Sequence, residues 1–456
     1  MTDLTDGPVL RRITQFAVPL TLASIFQNLY LLVDSVVVGR FLGVTALAAV
    51  GVAGPIIYLL NAMFIGLSTA FTIRVARLVG ARKDAERRGV VAALAATTLV
   101  WTVGCMVVTF LLSGFVLSLM GITGDLAAST DLYLRWLALG FPGLFGSAAL
   151  SAYLRGLGDS SAAMWIQLVG NIVNAVLVWW FVAGLGLGLE GAAISTAIGA
   201  TVALVAGVVV TQRRHPLPAG RVVRGPVLAE LRAATRLGLP LAYQHIVLSL
   251  GIMILVVIVE AYGETAIAAF TVIARIEGFA AIPFLALSGA TTAFAAQNLG
   301  KHDEARARRG LLATLQLTAL LAVPLSVLLV IFRGPIARLF VDDVAAQELT
   351  GTYILVIIPF LTLYALMVVL HGQLNGMGRT VAPLVCTIIA FVGVQLPFAA
   401  VMGRWFGLQA VMWAVVASWT VGLACSVIVL REFMVDRAPA VPAPSSPRAD
   451  EPQPQT

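Results

Sequence analysis

The sequence predicts an all-α polytopic membrane protein, with twelve transmembrane helices in two pseudo-twofold-related six-helix lobes. Three observations predict it: composition, the spacing of apolar runs, and an internal repeat. Of 456 residues, 60% are hydrophobic and 11% charged, and the mean hydropathy is +0.97, outside the range of soluble globular domains. Apolar runs of about 20 residues bounded by charges or turn residues fall at 13–38, 46–72, 90–112, 130–154, 162–184, 190–211, 235–260, 265–296, 310–332, 350–374, 381–402 and 408–430.

The formal charge of +7 and the pI of about 9.7 do not point to nucleic acid, because the basic residues form no single patch or stripe. They sit in alternate loops: Arg11 and Arg12, then Arg82, Lys83, Arg87 and Arg88, Arg155, the run from Arg213 to Arg236, Lys301 to Arg309, Arg379, and Arg431 with Arg437. Twelve spans put all of these on the side of the N-terminus, which the positive-inside rule makes cytoplasmic. The opposite loops carry Asp125, Asp131, Glu190, Glu264, Asp342 and Asp343, with Arg333, Arg338 and Arg404 as exceptions. The expected location is the plasma membrane, with both termini cytoplasmic. Asp3 and Asp6 precede Arg11, unlike the basic start of a cleaved secretory signal. Cys105, Cys386 and Cys425 lie apart in the sequence, inside predicted spans, so neither a disulfide framework nor a zinc site is expected.

The repeat fixes the organisation. FLGVTALAAVG at 41–51 recurs as AYGETAIAAFT at 261–271, and LVGARKDAERRG recurs as NLGKHDEARARRG, at a shift of about 220 residues. Ser68, Ala70, Thr72, Ala76 and Gly80 answer to Ser288, Ala290, Thr292, Ala296 and Gly300, Tyr133 to Tyr353, and Pro19 to Pro240. A shift that spans six helices makes the repeats parallel and leaves a cavity between two facing bundles. The expected organisation is an N-terminal segment 1–12, an N-lobe 13–211, a basic linker 212–234, a C-lobe 235–431 and a Pro-rich, disordered tail 432–456.

The motifs VDSVVVGRFLG and ALAAVG of the first half, ETAIAAF, RIEGF and AAQNLG of the second, and NIVNAVL in the fifth span together resemble the multidrug and toxic compound extrusion family. The resemblance implies a secondary antiporter of two six-helix lobes that expels amphipathic or cationic compounds in exchange for protons or sodium ions. It also implies that Asp34 is the first-span acid that drives the cycle, with Asn171 and Asn174 as its neighbours. Two family acids are missing here: their places hold Val178 and Leu248, which leaves one principal carboxylate and favours protons over a full sodium site.

The residues support an independent reading. An aspartate at the centre of a span costs about 2.5–3.5 kcal/mol on insertion scales. Asp34 lies in the outer part of the first span, with Gln27 and Tyr30 on the same helix face. Gln167, Asn171 and Asn174 form a second stripe on the fifth span. Their amides can serve as interhelical glue, worth about 0.6 kcal/mol each, or can help a carboxylate hold a proton or a hard cation. Asp34 is not needed to build a lobe, since the repeat has Ile254, or Leu255 at a register of one more, in its place. Apolar surroundings favour the uncharged acid; protonation would loosen a cationic substrate and let the first and fifth spans repack, with Pro19 as a candidate hinge.

Glu277, Met63, Met253 and Phe284 are further cavity candidates, and Arg275 stands near Glu277. Glu260 reads as a solvated helix end, and His371 as a neutral, hydrogen-bonded histidine. No organic cofactor is expected, and the chain is expected to act as a monomer among membrane lipids. The rival readings are a flippase for lipid-linked precursors, which needs more cavity cations than Arg275, an integral membrane enzyme, which needs clustered His, Asp, Ser or Cys, and a channel, which fits the unequal acids of the halves less well.

Overall fold

The computed structural model describes residues 3–216 and 224–434, with nothing stated for the side chains of 224–226 and 432. Every regular element among them is helical. The helical stretch from Val9 to Gly80 is two spans, because Gly43 at φ 83°, ψ −174° turns the chain between them. Only glycine adopts that conformation without a steric penalty. We therefore label 9–42 as α1 and 44–80 as α2.

The third span, α3, is Asp84–Leu119, and α4 covers Gly124–Ala138 and Phe141–Gly156, bent by 53° at the break. Next come α5, Ser160–Gly184, and α6, Gly188–Arg214. The second half follows with α7, Arg224–Glu260, α8, Glu264–Gly300, α9, Glu304–Ile331, α10, Val344–Gly376, α11, Val381–Phe406, and α12, Leu408–Met434. A short helix, Arg333–Phe340, lies between α9 and α10. With the first helix divided and the bent pair joined, the spans number twelve.

The break inside the fourth span was not expected from its apolar run of 130–154. Its counterpart in α10 is a single 3-10 turn at Ile358–Phe360, one repeat further on, so both halves depart from regular α-helix at this place. The expected linker also differs. Helix α7 starts at Arg224, and Val227, Leu231 and Ala234 pack on the N-lobe core; residues 217–223 lie outside the described part. The expected tail is helical through Met434, and Arg437 with the rest of 435–456 lies outside the described residues.

Each lobe has its own core. In the N-lobe Phe64, Phe141, Phe145 and Tyr153 are buried together, and in the C-lobe Phe284, Tyr353, Ile354 and Trp419. Between the lobes, the contacts gather at the end that carries both described termini, here called the terminal face. Gly80 and Gly300 each let backbone approach backbone: a Cβ at Gly80 would strike the Gln297 carbonyl, and one at Gly300 the Arg77 carbonyl. Around them Arg77 Nη2 donates to the Gly376 carbonyl at 3.4 Å, and Gln297 Nε2 donates to the Gly156 carbonyl at 3.0 Å. These two bonds are images of one another under the repeat.

Arg74 pairs with both carboxylate oxygens of Glu230, at 2.8 and 2.5 Å. The N-terminal segment adds a clasp. Leu4 is buried, its carbonyl accepts from Asn298 Nδ2 at 3.2 Å, and the Gly7 carbonyl accepts from Arg306 at 2.8 Å. Among the described residues no hydrogen bond, ion pair or buried cluster joins the lobes in the half away from this face, so the space between them opens to the opposite side.

Candidate ion-coupling site

Asp34 stands on α1 two turns before its end at Gly43, in the half of the bundle where the lobes part. Its side chain faces the N-lobe and is 6% exposed. A shift of 221 pairs Pro19 with Pro240 and pairs Asp34 with Leu255, which is 3% exposed. The two positions are thus buried alike, and one holds a carboxylate where the other holds an alkyl group.

The partners of this face come from four helices. The Tyr30 hydroxyl, one turn before Asp34, lies beside Thr196 of α6, and both Tyr30 and Tyr133 of α4 lie within electrostatic reach of the carboxylate. Thr196 in turn accepts from Asn174 Nδ2 at 3.0 Å, so Tyr30, Thr196 and Asn174 form a linked polar cluster, with Asp34 within electrostatic reach of Tyr30. Two oxygens here, Oδ1 of Asp34 and Oδ1 of Asn174, are buried and accept no hydrogen bond from the protein. A buried acceptor left in this state is costly, most of all a charged one. A proton or a cation at the carboxylate removes that cost.

The amide stripe on α5 is divided among three neighbours. Asn171 Nδ2 donates to Gln27 Oε1 of α1 at 3.4 Å, while Gln167 Nε2 donates to Ser151 Oγ of α4 at 3.2 Å. Gln27 and Asn171 therefore join α1 to α5 about two turns from Asp34. Gln167 serves α4 instead. Val178, at the place of the missing family acid, is fully enclosed in the N-lobe core.

In the C-lobe Glu277 Oε1 is buried without a hydrogen bond, and Tyr353 and Tyr364 lie within its electrostatic reach. Tyr58 of α2 faces Tyr364 from the other lobe. Arg275 is exposed and makes no described ion pair with Glu277. His371 is buried, with Nδ1 3.3 Å from Gln244 Nε2, and Glu260 is exposed at the end of α7. Met63 is half-buried and Met253 is 67% exposed.

Phe284 is a correction. It is wholly enclosed in the C-lobe core and does not line a cavity. Pro19 also behaves otherwise than a hinge in this conformation: α1 keeps helical φ and ψ through it and departs from them at Gly43 alone. The cysteines are less scattered than their numbers suggest, since Cys386 and Cys425 line one groove.

Sequence reasoning missed Thr196 and Gln244, which lie in ordinary helical sequence and acquire a role only through a neighbouring helix. Tyr133 carried a signal in its match to Tyr353.

Comparison with known proteins fits this geometry. The MatE family model matches the chain twice, at residues 19–180 and 240–401, the two halves of the repeat. The chain belongs to the MatE family. It is 28% identical over 410 residues to the Probable multidrug resistance protein YoeA of Bacillus subtilis, which covers 88% of each chain. It is 27% identical over 408 residues to YpnP of the same organism, described in the same words, covering 89% of this chain and 91% of that one. A solved structure of MATE in the bent conformation superposes with a TM-score of 0.88 at 23% identity, covering 95% of this chain and 97% of the other. The two-lobe, twelve-helix architecture is thus that of MatE-family proteins, which are transporters and not enzymes.

Proposed function

We infer that this MatE-family protein exports amphipathic or cationic small molecules in exchange for protons, with Asp34 as the coupling carboxylate. The observation that carries the reading is the buried, unpartnered Oδ1 of Asp34, at a position where the second lobe holds Leu255. Similarity to proteins named for multidrug resistance supports the substrate class.

In the conformation described, the terminal face is closed by the seam around Gly80 and Gly300 and the cavity opens opposite. With the basic loops on the terminal face, the positive-inside rule makes that face cytoplasmic, and the conformation is then outward-open. A proton arriving from outside neutralises Asp34 and removes the cost of its bare oxygen. The Coulombic hold on a cationic substrate in the cavity falls at the same moment. The contacts of Tyr30 with Thr196, and of Gln27 with Asn171, give α1 a reason to settle onto α5 and α6 once the charge is gone. Rocking of the lobes about the seam then exposes the cavity to the cytoplasm, where Asp34 releases its proton.

A proton suits the cluster better than sodium. A hard cation is held best by several oxygens that include more than one carboxylate, and the place of a second carboxylate on α5 is taken by Val178.

The test is efflux in everted vesicles under an imposed proton gradient or an imposed sodium gradient, comparing wild type with Asp34→Asn. Proton-driven efflux that the substitution abolishes is the expected result. Efflux driven only by sodium overturns the ion assignment, and unchanged efflux in the variant removes Asp34 from the cycle. Translocation of a labelled polyprenyl-linked sugar without drug transport would make the chain a flippase.

A further inference from the structure

On the surface of the C-lobe, at its terminal-face end, a groove of about 650 Å³ runs between α7, α11 and α12. Helices α7 and α12 both pack on the start of α11, which forms its floor. The walls are aliphatic and open: Val385 is 46% exposed, Ile389 42% and Ile428 61%. At its mouth stand Arg236 and Arg379. Both are exposed, and neither side chain makes a described hydrogen bond or ion pair. Two guanidinium groups without a counter-ion therefore sit at the end of an apolar slot.

The N-lobe shows how the same place is arranged when the protein satisfies it from within. Position 159, the counterpart of Arg379, is Asp159, which lies 2.9 Å from His215 and 3.9 Å from Arg214. Position 165, the counterpart of Val385, is a tryptophan. At these two positions one lobe carries a carboxylate with internal partners and an exposed indole, and the other carries a cation and an isopropyl group. The repeat has diverged towards an anionic, partly aliphatic occupant on the C-lobe alone.

We propose that the groove between α7, α11 and α12 binds an anionic phospholipid from the leaflet at the terminal face, with its phosphate on Arg236 and Arg379 and an acyl chain along Val385, Ile389 and Ile428. Three features fix the occupant. Arg379 stands between α10 and α11, and Arg236 at the start of the apolar run 235–260 within α7, where headgroups lie; guanidinium matches phosphate in charge and in paired geometry; and the aliphatic slot leads from the phosphate position towards the hydrocarbon layer. Basic pockets between transmembrane helices are suited to anionic headgroups. The proposal does not depend on the coupling ion or on the transported compound.

The experiment is titration of the purified full-length protein in zwitterionic nanodiscs with phosphatidylglycerol, read by native mass spectrometry as bound lipid. Phosphatidylcholine and soluble glycerol phosphate serve as comparison ligands. Arg236→Gln and Arg379→Gln are each expected to weaken phosphatidylglycerol binding about fivefold, whereas the lysine substitutions, which keep the charge and lose only the paired geometry, are expected to weaken it less. Val385→Trp, which leaves both arginines in place and puts a bulky ring into the slot, is expected to weaken it as well. Arg338→Gln, on the opposite face, is expected to have no effect.

Unchanged binding in the Arg236→Gln/Arg379→Gln double variant overturns the site, as does equal binding of phosphatidylcholine. Glycerol phosphate binding as tightly as the lipid, or unaltered affinity in Val385→Trp, reduces the site to a free-anion patch and overturns the lipid assignment. The lysine variants separate loss of charge from loss of fold.

Discussion

In the N-lobe the Thr72 hydroxyl donates to the Ala152 carbonyl at 2.9 Å; in the C-lobe Thr292 donates to the Gly372 carbonyl at the same distance. Gly43 and Gly263 take the same positive φ between paired spans, and Gly80 and Gly300 meet the opposite lobe in the same way. The ionisable groups follow another rule. Asp34 faces Leu255 across the repeat, Glu277 faces Ile57, and Asp159 faces Arg379. Duplication has preserved what packs helices and joins lobes, and has let the charges diverge. A group preserved by the repeat belongs to the scaffold, and one that differs is a candidate for function.

The largest effect expected from this difference is at Asp34. Asp34→Asn should reduce proton-driven efflux to the level of vesicles without the protein, while the purified variant unfolds at or above the wild-type temperature because a bare buried charge has been removed. Adding Leu255→Asp to that variant sharpens the comparison. The C-lobe has its own buried amide–hydroxyl bond between α11 and α12, Ser418 Oγ to Gln395 Oε1 at 2.8 Å, but Gly251 stands where the N-lobe has Tyr30, so a carboxylate at position 255 should not restore exchange. It should cost about 2.5–3.5 kcal/mol of stability. Restored efflux would mean that the lobes are interchangeable and that the N-lobe cluster is incidental.

The seam between the lobes comes next. Gly80→Ala and Gly300→Ala each place a Cβ against a carbonyl of the other lobe, and overpacking of this kind costs about 1–3 kcal/mol. Thermal unfolding of each variant should show similar losses. Labelling of a cysteine introduced at the terminal-face end of the cavity should rise in both, as the closed seam is weakened. A loss confined to one glycine would break the symmetry of the seam.

Much of this was legible in the sequence, for identifiable reasons. Twelve spans follow from apolar runs longer than a bilayer is thick, and the two lobes follow from the repeat, because both depend on residue type and order alone. Asp34 stood out because a carboxylate in a span is rare. What pairs with it did not stand out: a threonine such as Thr196 is unremarkable until α6 crosses α1. Phe284 misled because aromatic character alone does not tell a cavity wall from a core. Gly43 was read as part of a recurring motif, and the structure adds the reason, a backbone conformation closed to other residues. The N-terminal clasp through Leu4 was invisible, since a carbonyl accepting from Asn298 leaves no trace in residue type.

Asp159 tests the divergence outside the membrane. It caps α5 by accepting from the Ala162 amide at 2.9 Å, and its bond with His215 holds its carboxyl below the usual carboxylate range. A carboxylate whose folded pKa is depressed stabilises the fold above its unfolded pKa of about 3.9, and that contribution is lost as pH falls through the folded value. Asp159→Asn keeps an acceptor for the cap and should cost about 1 kcal/mol at pH 7. The gap from wild type should close as unfolding is measured at progressively lower pH below about 4. A gap independent of pH would assign the loss to packing. Arg379→Asn in the C-lobe, which has no such internal partner, should show no gap under the same conditions.

The smallest effect is the most direct test of what the repeat preserves. Thr72→Val and Thr292→Val each remove one hydroxyl that bridges two helices, leaving the Ala152 or Gly372 carbonyl with its intrahelical partner only. Each hydroxyl also donates to a carbonyl one turn back, Ser68 at 3.3 Å and Ser288 at 2.9 Å, so the local helix geometry is the same in both. Valine keeps the branched shape, and packing is therefore little changed. Interhelical hydrogen bonds in membranes average about 0.6 kcal/mol, because the unfolded chain in lipid also finds partners. The two variants should lose that amount equally, and the double variant should lose the sum, since the bonds lie in separate lobes. Unequal losses would show that the lobes differ in scaffold as well as in charge, and the inference from divergence to function would lose its basis.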